Sequence, residues 1–308
     1  MQRQLPSVPT LSTSPAPAAY KYLPSWYADG IRGLRLAARR PMAGPRIGRH
    51  RSPHQGASVE FAEYRRYAPG DSVARIDWAV YARSDRYVVR QYVEETNLRA
   101  LVLLDTSGSM GYRHEAERNK LDYACYLAAG LAFLLVSQGD HASLMCYDAA
   151  PRPSLGPAGS LEGLRPLLIG LEGIAPAGAS ATEKALEQAA LTLPARSLVI
   201  LISDLLQEPA PVLRGLERLH HEGHEVRVLH LLDPGELHLP AGAWAELQEL
   251  ESGASLAVNL DEIRPAYRHA VEGYLEEVRR GCANACADYR LIPTTTPLES
   301  ALHFIAPH

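Results

Sequence analysis

Ala100-Leu101-Val102-Leu103-Leu104-Asp105-Thr106-Ser107-Gly108-Ser109-Met110 passes abruptly from an unbroken apolar run to a string of small oxygen-bearing side chains. A short continuous apolar run reads as a strand buried on both faces, which is the environment of a parallel sheet. Three further runs share this texture: Ala142 to Cys146, Leu198 to Ile202 and Val226 to Leu232. Helix-like segments lie between them, at 120–137, 161–171, 182–191 and 210–221. Another is expected over 264–287, where Tyr267, Val271, Tyr274, Leu275 and Val278 recur near helical spacing. Buried strands alternating with helices predict an α/β fold: a doubly wound, mostly parallel sheet flanked by helices.

In an open parallel sheet, ligands bind beyond the carboxyl ends of the strands. Asp105 stands at such an end, and Ser107 and Ser109 follow it on one loop. Asp, Ser and Ser offer hard oxygens without soft nitrogen or sulfur, which suits Mg²⁺ above all, with Mn²⁺ or Ca²⁺ as alternatives, and is wrong for zinc. A second strand closes on Ser203-Asp204. Two carboxylates emerging on one rim repel unless a cation sits between them. A third source of hydroxyls is the loop Gly178-Ala179-Ser180-Ala181-Thr182. The competing reading makes Asp105, Ser107 and Asp204 simple helix caps. Recurrence of a strand-terminal acid at a matching sheet position favours the cation.

These residues resemble the metal-ion-dependent adhesion site of von Willebrand factor A domains: Asp105-x-Ser107-x-Ser109, a hydroxyl loop near 180, and Asp204. The resemblance implies that Ser107 and Ser109 contact the metal, while Asp105 and Asp204 orient water and balance charge. In that family a threonine precedes the Ala-Leu of the following helix by five residues. Ala185-Leu186 places Ser180 there, with Thr182 as the nearby substitute, so either supplies the third hydroxyl. Upstream, Glu60-Phe61-x-Glu63-Tyr64-Arg65-x-Tyr67-x-Pro69-Gly70-Asp71, then Ile76-Asp77-Trp78, Ala82-Arg83 and Val89-Arg90-Gln91 with Glu94-Glu95, resembles the bacterial domain of unknown function 58 family. That resemblance runs from about Leu23 to the C-terminus. It implies a chaperone-like or assembly partner of MoxR-type AAA+ ATPases, and no enzymatic activity.

The remaining features bound this expectation. With 308 residues, 46% hydrophobic and 21% charged, the chain holds ample core material. A net charge of -4 gives no global attraction to nucleic acid or anionic membranes. Arginines cluster between Arg32 and Arg51, but no aromatic interleaving or nucleic-acid module accompanies them. The expected organisation is a disordered, Pro- and Ser-rich tail over 1–24, a basic extension with a short helix ending near Arg40 and two β-runs over 25–97, and the von Willebrand factor A-like domain over 98–308. The β-runs, Val59 to Tyr67 and Tyr87 to Val93, are separated by the turn signal Pro69-Gly70-Asp71.

Leu121 to Val136 is apolar but short for a membrane span, so a helix buried against the sheet is expected. The start has no apolar signal region, and a cytoplasmic location is expected. Cys125, Cys146, Cys282 and Cys286 lack a pairing or zinc spacing and read as reduced thiols. His220, His221 and His224 read as a solvated helix end. The expected function is a non-enzymatic, divalent-cation-dependent interaction module whose protein partner supplies a carboxylate to the metal. Two alternatives stand beside it. One is a Mg-dependent phosphohydrolase of the haloacid dehalogenase type, although Ser107 occupies the position of that family's general acid. The other is a scaffold with a vestigial metal site.

Overall fold

The computed structural model describes residues 20–36, 59–68, 73, 76–94, 97–239, 244–248 and 255–305. Its centre is a six-stranded sheet. In chain order the strands are β3 (Arg99–Asp105), β4 (His141–Tyr147), β5 (Leu155–Ala158), β6 (Leu198–Ser203), β7 (Glu225–Leu232) and β10 (Asp288–Pro293). In space they run β10-β7-β6-β3-β4-β5. All neighbours are parallel except β5, which lies antiparallel on the edge. The chain starts in the middle, winds out to one edge, then returns to build the other half. The fold class is therefore the doubly wound one expected, with its topological switch point between β3 and β6.

Side-chain alternation splits the core in two. Ala100, Val102 and Leu104 of β3 face one way, with Ala142 and Leu144 of β4 and Ile200 and Ile202 of β6. They meet α3 (Lys120–Ser137), α4 (Arg165–Glu172), α1 (Ser25–Ile31) and α9 (Leu298–Ile305). Leu101, Leu103, Val199 and Leu201 face the other way, onto α5 (Thr182–Thr192), α6 (Pro209–His221) and α8 (Leu260–Asn284). By length and composition α3 is apolar enough to cross a membrane, but 83% of it is buried inside the fold. A helix that is apolar all round needs cover all round, and here the sheet and three helices supply it.

Several boundaries differ from the sequence reading. Residues 20–24, expected as the end of the tail, pack onto the domain: Tyr22 is 2% exposed and its hydroxyl donates to Asp122 at 2.6 Å. Residues 1–19 lie outside the described residues, as do Arg39, Arg40, Arg46, Arg49, Arg51 and Pro69-Gly70-Asp71. The helix expected to run to Arg40 stops at Ile31, with Arg32 as its C-cap. The two β-runs do pair, as antiparallel β1 (Val59–Arg66) and β2 (Val88–Glu94). Between them stands an unforeseen helix, α2 (Trp78–Ser84), whose cap Asp77 accepts from the backbone N–H groups of Ala79 and Val80.

The hairpin β8 (Trp244–Gln248) with β9 (Ser255–Asn259), the short α7 (Pro234–Leu237), and the elements β5, β10 and α9 were not foreseen either. Each is short or edge-placed and carries a weak periodic signal. The four cysteines are free, and only Cys286 is exposed. His220 and His221 end α6 as expected. His224 does not: it is 3% exposed and its Nδ1 accepts from Ser197 N–H at 3.2 Å.

Candidate metal centre

Beyond the carboxyl ends of β3 and β6 the two strands must diverge, because the chain leaves them for opposite faces of the sheet. Asp105 ends β3 and Ser203 ends β6, one step past the paired Leu104 and Ile202. The Asp105 carboxylate is fully buried and takes three hydrogen bonds. Its Oδ1 accepts from Ser107 N–H at 2.9 Å, and its Oδ2 accepts from the hydroxyls of Ser203 at 2.7 Å and Ser180 at 2.8 Å. The hydroxyls of Ser107 and Ser109 lie 3.1 Å apart, as do those of Ser180 and Thr182.

Backbone contacts fix the two loops to each other. Gly108 N–H donates to the carbonyl of Gly178 at 2.8 Å, and Ala177 N–H donates to the carbonyl of Thr106 at 2.9 Å. Gly178 has φ of +71°, a conformation in which a side chain would be strained. Sequence-distant hydroxyls are thereby brought to one carboxylate.

Ser180 and Thr182 differ in their surroundings. Thr182 is fully buried, and its hydroxyl also meets Tyr147 Oη at 3.1 Å and Gln207 Nε2 at 2.5 Å. A hydroxyl has one proton and two lone pairs, so that oxygen is saturated. Ser180, like Ser109, is half-buried. Thr182 ties the loop to Tyr147 and Gln207, and Ser180 is the more exposed of the two residues.

Asp204 follows Ser203 and is fully buried. Its Oδ2 accepts from Lys120 Nζ at 2.7 Å, and the same ammonium donates to Glu236 Oε1 at 2.5 Å. Lys120 itself is 0% exposed. Burial alone would depress its pKa, yet Asp204 and Glu236 beside it hold the ammonium above its ordinary value. Burial, and after it the like charge of Asp204, push the Asp105 carboxyl above the usual carboxylate range, against the hydrogen bonds from Ser203 and Ser107.

Lys120, Glu236 and Ser203 were not among the expected site residues. Lys120 left one legible trace, since it opens an otherwise apolar helix at the end where the helix dipole disfavours a cation. Glu236 left none.

The donor set fits a small hard cation. Hydroxyl and carboxylate oxygens are the hard donors that Mg²⁺ takes. Among the described residues no group of three or more His, Cys, Asp or Glu side chains is placed to hold a metal, so such an ion would rest on hydroxyls with two carboxylates in support.

Uncharacterised proteins of Mycobacterium tuberculosis (strain H37Rv) and Mycobacterium bovis are each 30% identical over 263 residues, covering 83% of this chain and 82% of theirs. Among solved structures, the conserved hypothetical protein BatB from Bacteroides thetaiotaomicron is 16% identical with a TM-score of 0.46, covering 68% of this chain and 99% of that one. The von Willebrand factor A domain of SpRpn10 is 12% identical with a TM-score of 0.42, covering 69% and 96%. Likeness at that level says nothing of function. The family model described as protein of unknown function DUF58 matches residues 63–276, and the chain belongs to that family.

Proposed function

We propose that this chain is a non-enzymatic protein–protein interaction module that depends on a divalent cation, Mg²⁺ foremost. The observation that carries the reading is the convergence of Asp105, Ser107, Ser109 and Ser180 into one oxygen-lined cup at the switch point, with Asp204 behind it. Ser107, Ser109 and Ser180 would hold the ion, and Asp105 and Asp204 would balance its charge. A bound Mg²⁺ keeps some positions for water, and it supplies a partner carboxylate with a place to bind. Thr182 supports the loop rather than the ion.

The partner is a protein presenting an acidic side chain. The family resemblance makes a MoxR-type AAA+ ATPase the first to test, with this chain as its adaptor or chaperone-like companion in the cytoplasm. A phosphohydrolase fits less well. The Asp105 oxygen that two serine hydroxyls engage has no free approach, and Ser107 cannot serve as a general acid at neutral pH. Phosphate-ester turnover that vanishes in Asp105→Asn would reverse that judgement.

The test is a pull-down of a purified MoxR-type ATPase in excess Mg²⁺ or in EDTA. Capture should need Mg²⁺ and fall at least ~10-fold in Ser107→Ala/Ser109→Ala, the loss usual for impaired metal shells. Capture that ignores EDTA sinks the cation dependence.

A further inference from the structure

Lys120 is costly where it stands. A fully buried ammonium loses its hydration, and at the first position of α3 it also opposes the helix dipole. An apolar residue would fill the same core volume without either cost. Its head group is nevertheless fixed between two carboxylates, Asp204 Oδ2 at 2.7 Å and Glu236 Oε1 at 2.5 Å.

Glu236 is held in turn. Its other oxygen accepts from Asp233 N–H at 2.8 Å, closing a capping box on α7, and its carbonyl accepts from Tyr267 Oη at 2.6 Å. Asp233 grips the loop leading into α3 through the N–H groups of His114, Glu115 and Ala116 at 3.0, 3.1 and 3.3 Å. The ammonium is thus positioned from α7, an element that shares no residue with the oxygen cup.

We propose that Lys120 is a built-in counter-cation of the metal centre, and that Glu236 sets its strength, so that this pair tunes how strongly Asp204 attracts a divalent ion. The proposal rests on the reading of the cup as a cation site. Asp105, Asp204 and Glu236 with Lys120 leave two net negative charges when all are ionised, which one divalent ion neutralises. Deleting the ammonium leaves the cup more negative. Deleting the Glu236 charge leaves the ammonium less compensated. The two changes therefore move metal affinity in opposite directions, which a merely structural role would not do.

The experiment is calorimetric titration of Mn²⁺ and Mg²⁺ into wild type, Lys120→Met and Glu236→Gln, with circular dichroism as the check on folding. Like charges a few ångströms apart in a protein interior change affinity by about tenfold or more. Lys120→Met should therefore bind about tenfold tighter and Glu236→Gln about tenfold weaker than wild type. A folded Lys120→Met that binds no tighter, or a Glu236→Gln that binds no weaker, overturns the proposal while leaving the cation site standing. If Lys120→Met does not fold, the sign of the change in Glu236→Gln decides alone. Binding by Lys120→Met but not by wild type supports the counter-cation and removes the cation from the proposed function. Absence of binding by every variant overturns both.

Discussion

The hydroxyls around Asp105 look alike in sequence but have different physical tasks. Ser203 Oγ is buried, donates to Asp105 and accepts from Leu205 N–H at 2.9 Å. Replacing it with Ala leaves a buried carboxylate oxygen and a buried amide short of a partner. Ser203→Ala should lower unfolding free energy by about 1–3 kcal/mol in urea titration. Thr182→Ala should behave similarly, because three groups meet that hydroxyl in the interior. Ser180→Ala opens onto solvent, so it should cost less stability yet weaken Mn²⁺ binding at least ~10-fold. If Thr182→Ala abolishes Mn²⁺ binding while Ser180→Ala spares it, the assignment of the third hydroxyl is reversed.

Among the elements, α3 organises the molecule, since the sheet, α1, α4 and α9 all pack on it. Close approach is purchased at Gly130, where an added Cβ would lie 2.5 Å from Tyr27 Oη and 2.9 Å from Leu302 Cδ1. Tyr27 is fully buried and donates to the carbonyl of Tyr126 at 3.2 Å, so it has no room to yield. Alanine is the better helix former by up to about 1 kcal/mol, but overpacking of this kind costs about 1–3 kcal/mol. Gly130→Ala should therefore destabilise, and the melting temperature should fall. A raised melting temperature would mean that α1 is not seated on α3 as described.

For the molecule as a whole, acid sensitivity follows from its buried histidines. His230 lies in the interior of β7, its Nε2 at 2.8 Å from the Asp204 carbonyl and its Nδ1 at 2.8 Å from Tyr289 Oη. The carbonyl can only accept, so Nε2 carries the proton and Nδ1 accepts from the tyrosine. Burial pushes this imidazole down to about 4, and burial lowers His224 as well. An unfolded histidine titrates near 6.5, so the unfolded chain binds more protons as pH drops. The stability these residues contribute is complete above about pH 6.5 and is lost as pH falls toward 4, at roughly 3 kcal/mol for His230. Urea midpoints across that range should show the decline, and His230→Asn should flatten it. An unchanged slope in that variant would place the titration elsewhere.

What the sequence determined by itself was whatever depends on local pattern. Unbroken apolar runs mark strands buried on both faces, and so 99–105, 141–147, 198–203 and 225–232 were legible nearly to the residue. The placing of Asp105, Ser107, Ser109 and Asp204 at and just beyond two strand ends was legible too, because strand ends in such a sheet are where polar side chains collect. The tertiary structure alone buried Thr182 against Tyr147 and Gln207, seated Tyr22 on α3, buried His224, and set Lys120 between Asp204 and Glu236. Those outcomes depend on which groups share a small, dry volume after the chain has closed on itself. Desolvation and charge pairing act through space, across separations in sequence that no periodicity records.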